Sequence, residues 1–143
     1  MMTISEVVSY FAHYWAILLL LIGAGTANAI MDTIQFHFGI SIFKGKSSWW
    51  NNKTSWENKW KLDAEGKPIV GKPRFFGSST FLVFVTDAWH FFQFIMFTLF
   101  TIAILAYKPY ATEWYFFVVD FIAFKLMFSA AFMVNWKWIL VKK

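Results

Sequence analysis

Asp87 and His90 stand three residues apart beside a long apolar run. On a helix that spacing puts a carboxylate and an imidazole on one face, one turn from each other. Such a pair is half of a coordination set for zinc, manganese or non-haem iron. Asp32 and His37 are the residues that would complete it from the first apolar run. A water held by such an ion becomes a nucleophile near neutral pH. The spacing D-x-x-H alone is weakly specific, however. Asp32 and His37, five apart, share a face only if the helix breaks between them and Gly39 marks its end. The plainer reading ranks first: these groups hydrogen-bond to one another and fix helix packing. A metal site comes second and a proton or ion relay third.

Other polar residues in apolar surroundings fit the same layer. Asn28, Asp32 and Gln35 follow at i, i+4 and i+7, a single helical stripe. Counting inward from the aromatic residues at the span ends, Asn28 falls level with Gln93, Asp32 with His90, and Gln35 with Asp87 and Asn135. The expected intramembrane polar cluster is therefore Asn28, Asp32, Gln35, Asp87, His90, Gln93 and Asn135. Lys125 is the most central charge. Asp120 precedes it by five residues, about 140° round a helix, so an ion pair within the helix is strained and Asp32 is the alternative partner. Snorkelling, another subunit or an acidic lipid group would also satisfy Lys125. Haem ligation fits poorly, because His13 and His90 lie at different depths. No Ser–His–Asp order or phosphate loop is visible, and there is no Cys.

What positions these groups is a membrane. Of the 143 residues, 59% are apolar, 15% charged and 23% aromatic. Soluble domains run at about 45–50% apolar and about 25% charged, and so small a chain could not hide this much apolar surface. The absence of Cys excludes a disulfide-framed module. Three stretches, at about 11–36, 81–107 and 113–138, have the length and composition of spanning helices. Pro109 suits a turn between the last two. Ala27-Asn28-Ala29 resembles a leader cleavage site, but no Lys or Arg precedes the apolar run, so the first stretch reads as a retained span.

The cations set a direction. All Lys and Arg except Lys108 and Lys125 lie between Lys44 and Arg74 or at Lys137, Lys142 and Lys143. The positive-inside rule then predicts the N-terminus outside, the C-terminus inside, and a cytoplasmic loop over about 39–77. Trp15, Tyr107, Tyr110 and Trp114 would mark the outer interface, and Trp136 and Trp138 the inner one. Within the loop, Trp49, Trp56 and Trp60 share a helical face with Lys53, Lys59 and Lys61 interleaved. This predicts a short interfacial helix on anionic lipid. Trp with Lys also suits single-stranded nucleic acid, but a loop that begins and ends at a bilayer argues for lipid and against nucleic acid. Residues 61–70 read as a tight turn or small hairpin. The Phe residues of the second span read as lipid-facing or packing residues rather than a quinone pocket.

Three segments carry a resemblance. They are Met31-Asp32-Thr33-Ile34-Gln35-Phe36-His37-Phe38; Trp49-Trp50-Asn51 with Ser55-Trp56-Glu57-Asn58-Lys59-Trp60-Lys61; and Gly77-Ser78-Ser79-Thr80 through Thr86-Asp87-Ala88-Trp89-His90. Together they resemble a group of short, uncharacterised bacterial polytopic membrane proteins, which implies no activity. The expectation is one all-α membrane domain with three spans in a bacterial inner membrane. Three helices enclose a polar core poorly, so a homo-oligomer or a larger complex is expected. The leading functional reading is a non-catalytic subunit or accessory component of an inner-membrane assembly. The alternative is a metal-dependent enzyme acting on a lipid-like substrate at the cytoplasmic interface. A transporter ranks third, since no inverted repeat is detectable.

Overall fold

In the computed structural model, which describes residues 3–142, the chain is mostly helical. Lys143, counted above among the basic residues, lies outside the described residues. Three helices are long and apolar enough to cross a membrane. Helix α1 runs Ile4–Phe36, α2 Ala88–Ala106 and α3 Trp114–Val134. A π-helical turn, Asn135–Leu140, continues α3.

Helix α1 starts at a capping box. Glu6 N–H donates to the Thr3 hydroxyl at 3.3 Å, and Thr3 N–H donates back to the Glu6 carboxylate at 2.7 Å. Its 33 residues extend about 50 Å, well beyond a hydrocarbon core of about 30 Å. Both other helices pack along α1, while α2 and α3 touch one another sparingly, Phe100 and Phe128 meeting at 5.4 Å. The buried face of α1 is the core: Tyr10, Tyr14, Ile17, Leu18 and Leu21 toward its start, then Ala24, Gly25, Ala27 and Ala29. Small residues in the second half let neighbouring backbones come close. A Cβ built on Gly25 would sit 2.4 Å from the Phe128 carbonyl oxygen of α3.

The 37–87 segment folds over the α1 C-terminus and the α2 N-terminus. Strands β1 (Trp60–Leu62) and β2 (Pro68–Pro73) form an antiparallel hairpin with Lys61 opposite Ile69 and Leu62 opposite Pro68. The Asp63 side chain accepts the N–H of Glu65 and of Lys67, and Gly66 supplies the left-handed backbone (φ +78°) that the turn requires. After α3 the chain returns to this segment. Ile42 N–H donates to Leu140 and Lys142 N–H to Ile40, an antiparallel bridge beside Ser41 and Val141.

Two expectations need correction. Trp49, Trp56 and Trp60 do not share one interfacial helix. Ser48–Trp50 and Ser55–Lys59 are separate 3-10 turns, and Trp60 begins β1. Asn51 and Thr54 divert the backbone between the turns. The Asn51 side chain accepts the Lys53 N–H, and the Thr54 hydroxyl donates to the Asn51 carbonyl. The tryptophans also have inward work: Trp50 stacks on Phe43 at 4.5 Å, and Trp49 Nε1–H donates to the Val85 carbonyl at 3.1 Å. Second, α2 begins at Ala88 rather than near 81, because Asp87 caps it and Val83–Val85 form a 3-10 turn.

Candidate functional site

Polar side chains gather at two places, one at each end of α2. At its N-terminus, Asp87 takes the N-cap position, and its carboxylate accepts the backbone N–H of His90 at 2.9 Å. The other carboxylate oxygen lies 2.6 Å from His90 Nδ1. Asp87 is buried and the His90 side chain is 38% exposed. One carboxylate thus caps the helix and orients the imidazole through Nδ1, and Nε2 has no hydrogen-bond partner among the described residues. His90 lines two recesses. One is a polar cavity of about 270 Å³ shared with Gln35, Asn52, Lys59 and Trp89. The other is an apolar groove of about 440 Å³ that follows α2 past Gln93, Phe94 and Phe97 to Ile102.

Of the other residues expected in the cluster, Gln35 lines the cavity of Asp87 and His90, Gln93 lines the groove of His90, Asn28 and Asp32 share a recess with Gln35, and Asn135 bonds elsewhere. Asp32 lies 4.0 Å from His37 Nε2, each about one-third exposed, and does not meet Asp87 or His90. Gln35 accepts the Asn52 amide at 3.0 Å, which ties α1 to the loop. Asn135 donates to the Thr26 hydroxyl at 3.0 Å and to the Ala131 carbonyl at 2.8 Å, tying α3 to α1. Asn28 lines a shallow recess with Asp32 and Gln35, and Gln93 belongs to the α2 groove. Asp87, His90, Asp32 and His37 therefore do not form one four-ligand set. Among the described residues no three His, Asp or Glu side chains converge closely enough to hold a metal. Of the loop residues expected at a lipid interface, Lys53, Lys61 and Trp56 are exposed, while Trp49, Lys59 and Trp60 are half-buried.

The other polar centre is built around Asp120, which is 2% exposed. Its carboxylate accepts three phenols: Tyr10 at 2.7 Å and Tyr14 at 2.6 Å from α1, and Tyr107, at the end of α2, at 2.7 Å. The Tyr14 oxygen in turn accepts the Tyr110 N–H at 2.8 Å, and the Tyr14 and Tyr107 rings stack at 6.0 Å. One α3 carboxylate thereby fastens all three helices. Asp120 is thus held by tyrosines rather than by Lys125. The signal for this was present, since Tyr10 and Tyr14 are i and i+4 and lie near the same interface as Trp114. The five-residue spacing of Asp120 and Lys125 obscures it, because it does not say which other helices supply the carboxylate's partners. Lys125 itself points away from α1. It is exposed, and no ion pair reaches it among the described residues.

Removing the cap should show which role of Asp87 dominates. Asp87→Ala is expected to destabilise the chain by about 1 kcal/mol or more, the usual worth of an N-cap. Asp87→Asn keeps a cap acceptor and should lose less. Thermal unfolding in mild detergent measures both, and equal losses would assign the effect to the imidazole contact instead.

Comparison with known proteins gives no match: no family model fits the chain, and neither a curated protein nor a solved structure is significantly similar to it.

Proposed function

We propose that this three-span protein is a non-catalytic subunit of a membrane assembly, in a bacterial inner membrane by its resemblance and charge pattern. One observation carries this reading: Lys125, in the middle of α3, faces away from its own bundle. A lysine at the bilayer centre costs about 2.5–3.5 kcal/mol on insertion scales, so its anion is expected from outside the chain. The wider packing supports the same reading. α2 and α3 each lean on α1, and an apolar cavity of about 280 Å³ opens between them over Ile17 and Leu21. The polar groups near Asp87 and Asp120 act as fasteners that hold this open bundle in shape. The basic loop, with Lys53, Lys59 and Lys61, would rest on anionic lipid. The test is the size of the particle extracted from its own membrane in mild detergent. An assembly containing other polypeptides supports the reading, and a lone chain with lipid contradicts it.

The orientation belongs to this proposal and has its own test. Gly66 sits at the exposed tip of the hairpin. A Gly66→Cys variant in intact cells should resist a membrane-impermeant maleimide until the cells are opened. Labelling of intact cells would reverse the assigned direction.

A second reading, an enzyme acting on a lipid-like substrate, is favoured by the Asp87–His90 pair. The carboxylate orients the imidazole, and His90 lines both a polar cavity and an apolar groove, as a base working on a lipid headgroup would. In that case His90→Gln would abolish phospholipid turnover while leaving the assembly intact.

A further inference from the structure

We infer that the face of α3 around Lys125 seats a membrane-spanning helix of a different protein, one that presents an Asp or Glu carboxylate at mid-depth. The inference rests on the subunit reading and names the chemistry of the partner.

The position of Lys125 sets the depth. It stands midway between Trp114 and Trp136, about 16 Å along the helix axis from each. Aromatic residues of this kind settle at the two interfaces, so Lys125 lies near the middle of the hydrocarbon. A lysine stem covers only part of that distance, which makes a lipid phosphate a remote counter-ion. Rotation about the axis sets the direction. Asp120, Ala123, Met127 and Ala131 face α1, whereas Val118, Phe121, Ile122 and Leu126 flank Lys125 and are exposed. Ser129, one turn on, is small enough to let a second helix come close.

The chain's own carboxylates then decide between a second copy and a different protein. Among the described residues Asp120 lies nearest this depth, and three tyrosines enclose it. Asp87 is committed to the α2 cap. Glu6, Asp32 and Glu113 lie toward the helix ends, and Glu57, Asp63 and Glu65 lie in the loop. A parallel second copy repeats the same depths and so offers Lys125 no accessible acid. The complementary group must come from another sequence. A hydrogen-bonded pair between Lys125 and that acid would fix both the register and the identity of the partner helix.

The test places a photo-crosslinking amino acid at Ile122 in cells, with Leu105 on the exposed side of α2 as the control position. The expected result is an adduct from Ile122, absent from Leu105, to one polypeptide carrying an Asp or Glu within a span. Lys125→Met should lower its yield about tenfold or more, Lys125→Arg should keep it, and neutralising the partner's acid to Asn or Gln should match the Met variant. Adducts only to lipid or to this chain overturn the inference, as does an adduct that survives Lys125→Met undiminished. A multi-protein particle whose Ile122 adducts are lipid alone overturns this inference and leaves the subunit reading standing. A particle holding only this chain and lipid overturns both.

Discussion

Asp120→Ala should be among the most damaging single changes in the chain. Three phenols converge on this carboxylate from α1 and from the end of α2, and each would be left unpaired in an apolar setting. Taking each bond at about 1 kcal/mol, between values typical of water-soluble and membrane proteins, the loss is about 3 kcal/mol. Single Tyr→Phe changes should cost about one-third of that each. Tyr14→Phe should be the worst of them, since its oxygen also accepts the Tyr110 N–H. Asp120→Asn should fall between, because an amide accepts on one oxygen only. Unfolding of the purified protein in mixed micelles, followed by circular dichroism, gives the series. If Asp120→Ala proved no worse than Phe121→Ala, at an exposed neighbouring site, the three-tyrosine clamp would not be holding the bundle together.

The second large effect is expected at Gly25. Its absent side chain is what lets α1 meet α3. A Cβ there would fall 2.4 Å from the Phe128 carbonyl oxygen and 3.0 Å from the Ala131 Cβ. Backbone cannot move aside as a side-chain tip can, so Gly25→Leu should force the helices apart and cost about 3 kcal/mol or more. The same displacement should break the adjoining Asn135–Thr26 hydrogen bond. Gly23 gives the contrast. Its Cβ would meet Leu99 Cδ1 at 2.9 Å, the far end of a flexible side chain. Gly23→Ala should therefore be the milder change and Gly25→Ala clearly worse, measured in the same unfolding assay. Equal effects would mean that the close α1–α3 approach contributes little.

The span content was legible because it rests on composition and length, which leave a chain this apolar few alternatives. Asp87 and His90 were legible as neighbours because i and i+3 are adjacent on any helix. Their role as cap and capped residue was less so: Asp is a favoured N-cap, but the apolar Val83-Phe84-Val85 before it carries the helical pattern upstream. The depth layers match the structure only in part, with Gln35 lining one cavity with Asp87 and His90, for a related reason. Equal depth is necessary for two side chains to meet, but rotation about each axis decides whether they do. Asp32 approaches His37 rather than His90, and Asn135 finds Thr26 instead of Gln35. The same ambiguity applies to Asp120, whose tyrosine partners sit on other helices and follow from rotation rather than from its sequence neighbours. The loop departs from one interfacial helix because a Trp–Lys face at helical spacing is an amphipathic signal only if the backbone stays helical, and Asn51 and Thr54 turn it aside.

The most direct test of the subunit proposal is the composition of the particle cut from its native membrane with a disc-forming polymer, without detergent, and weighed by native mass spectrometry. The proposal predicts this chain together with at least one different membrane-spanning polypeptide, and loss of that polypeptide from the Lys125→Met particle. One copy of the chain surrounded only by lipid, in wild type and variant alike, would contradict it.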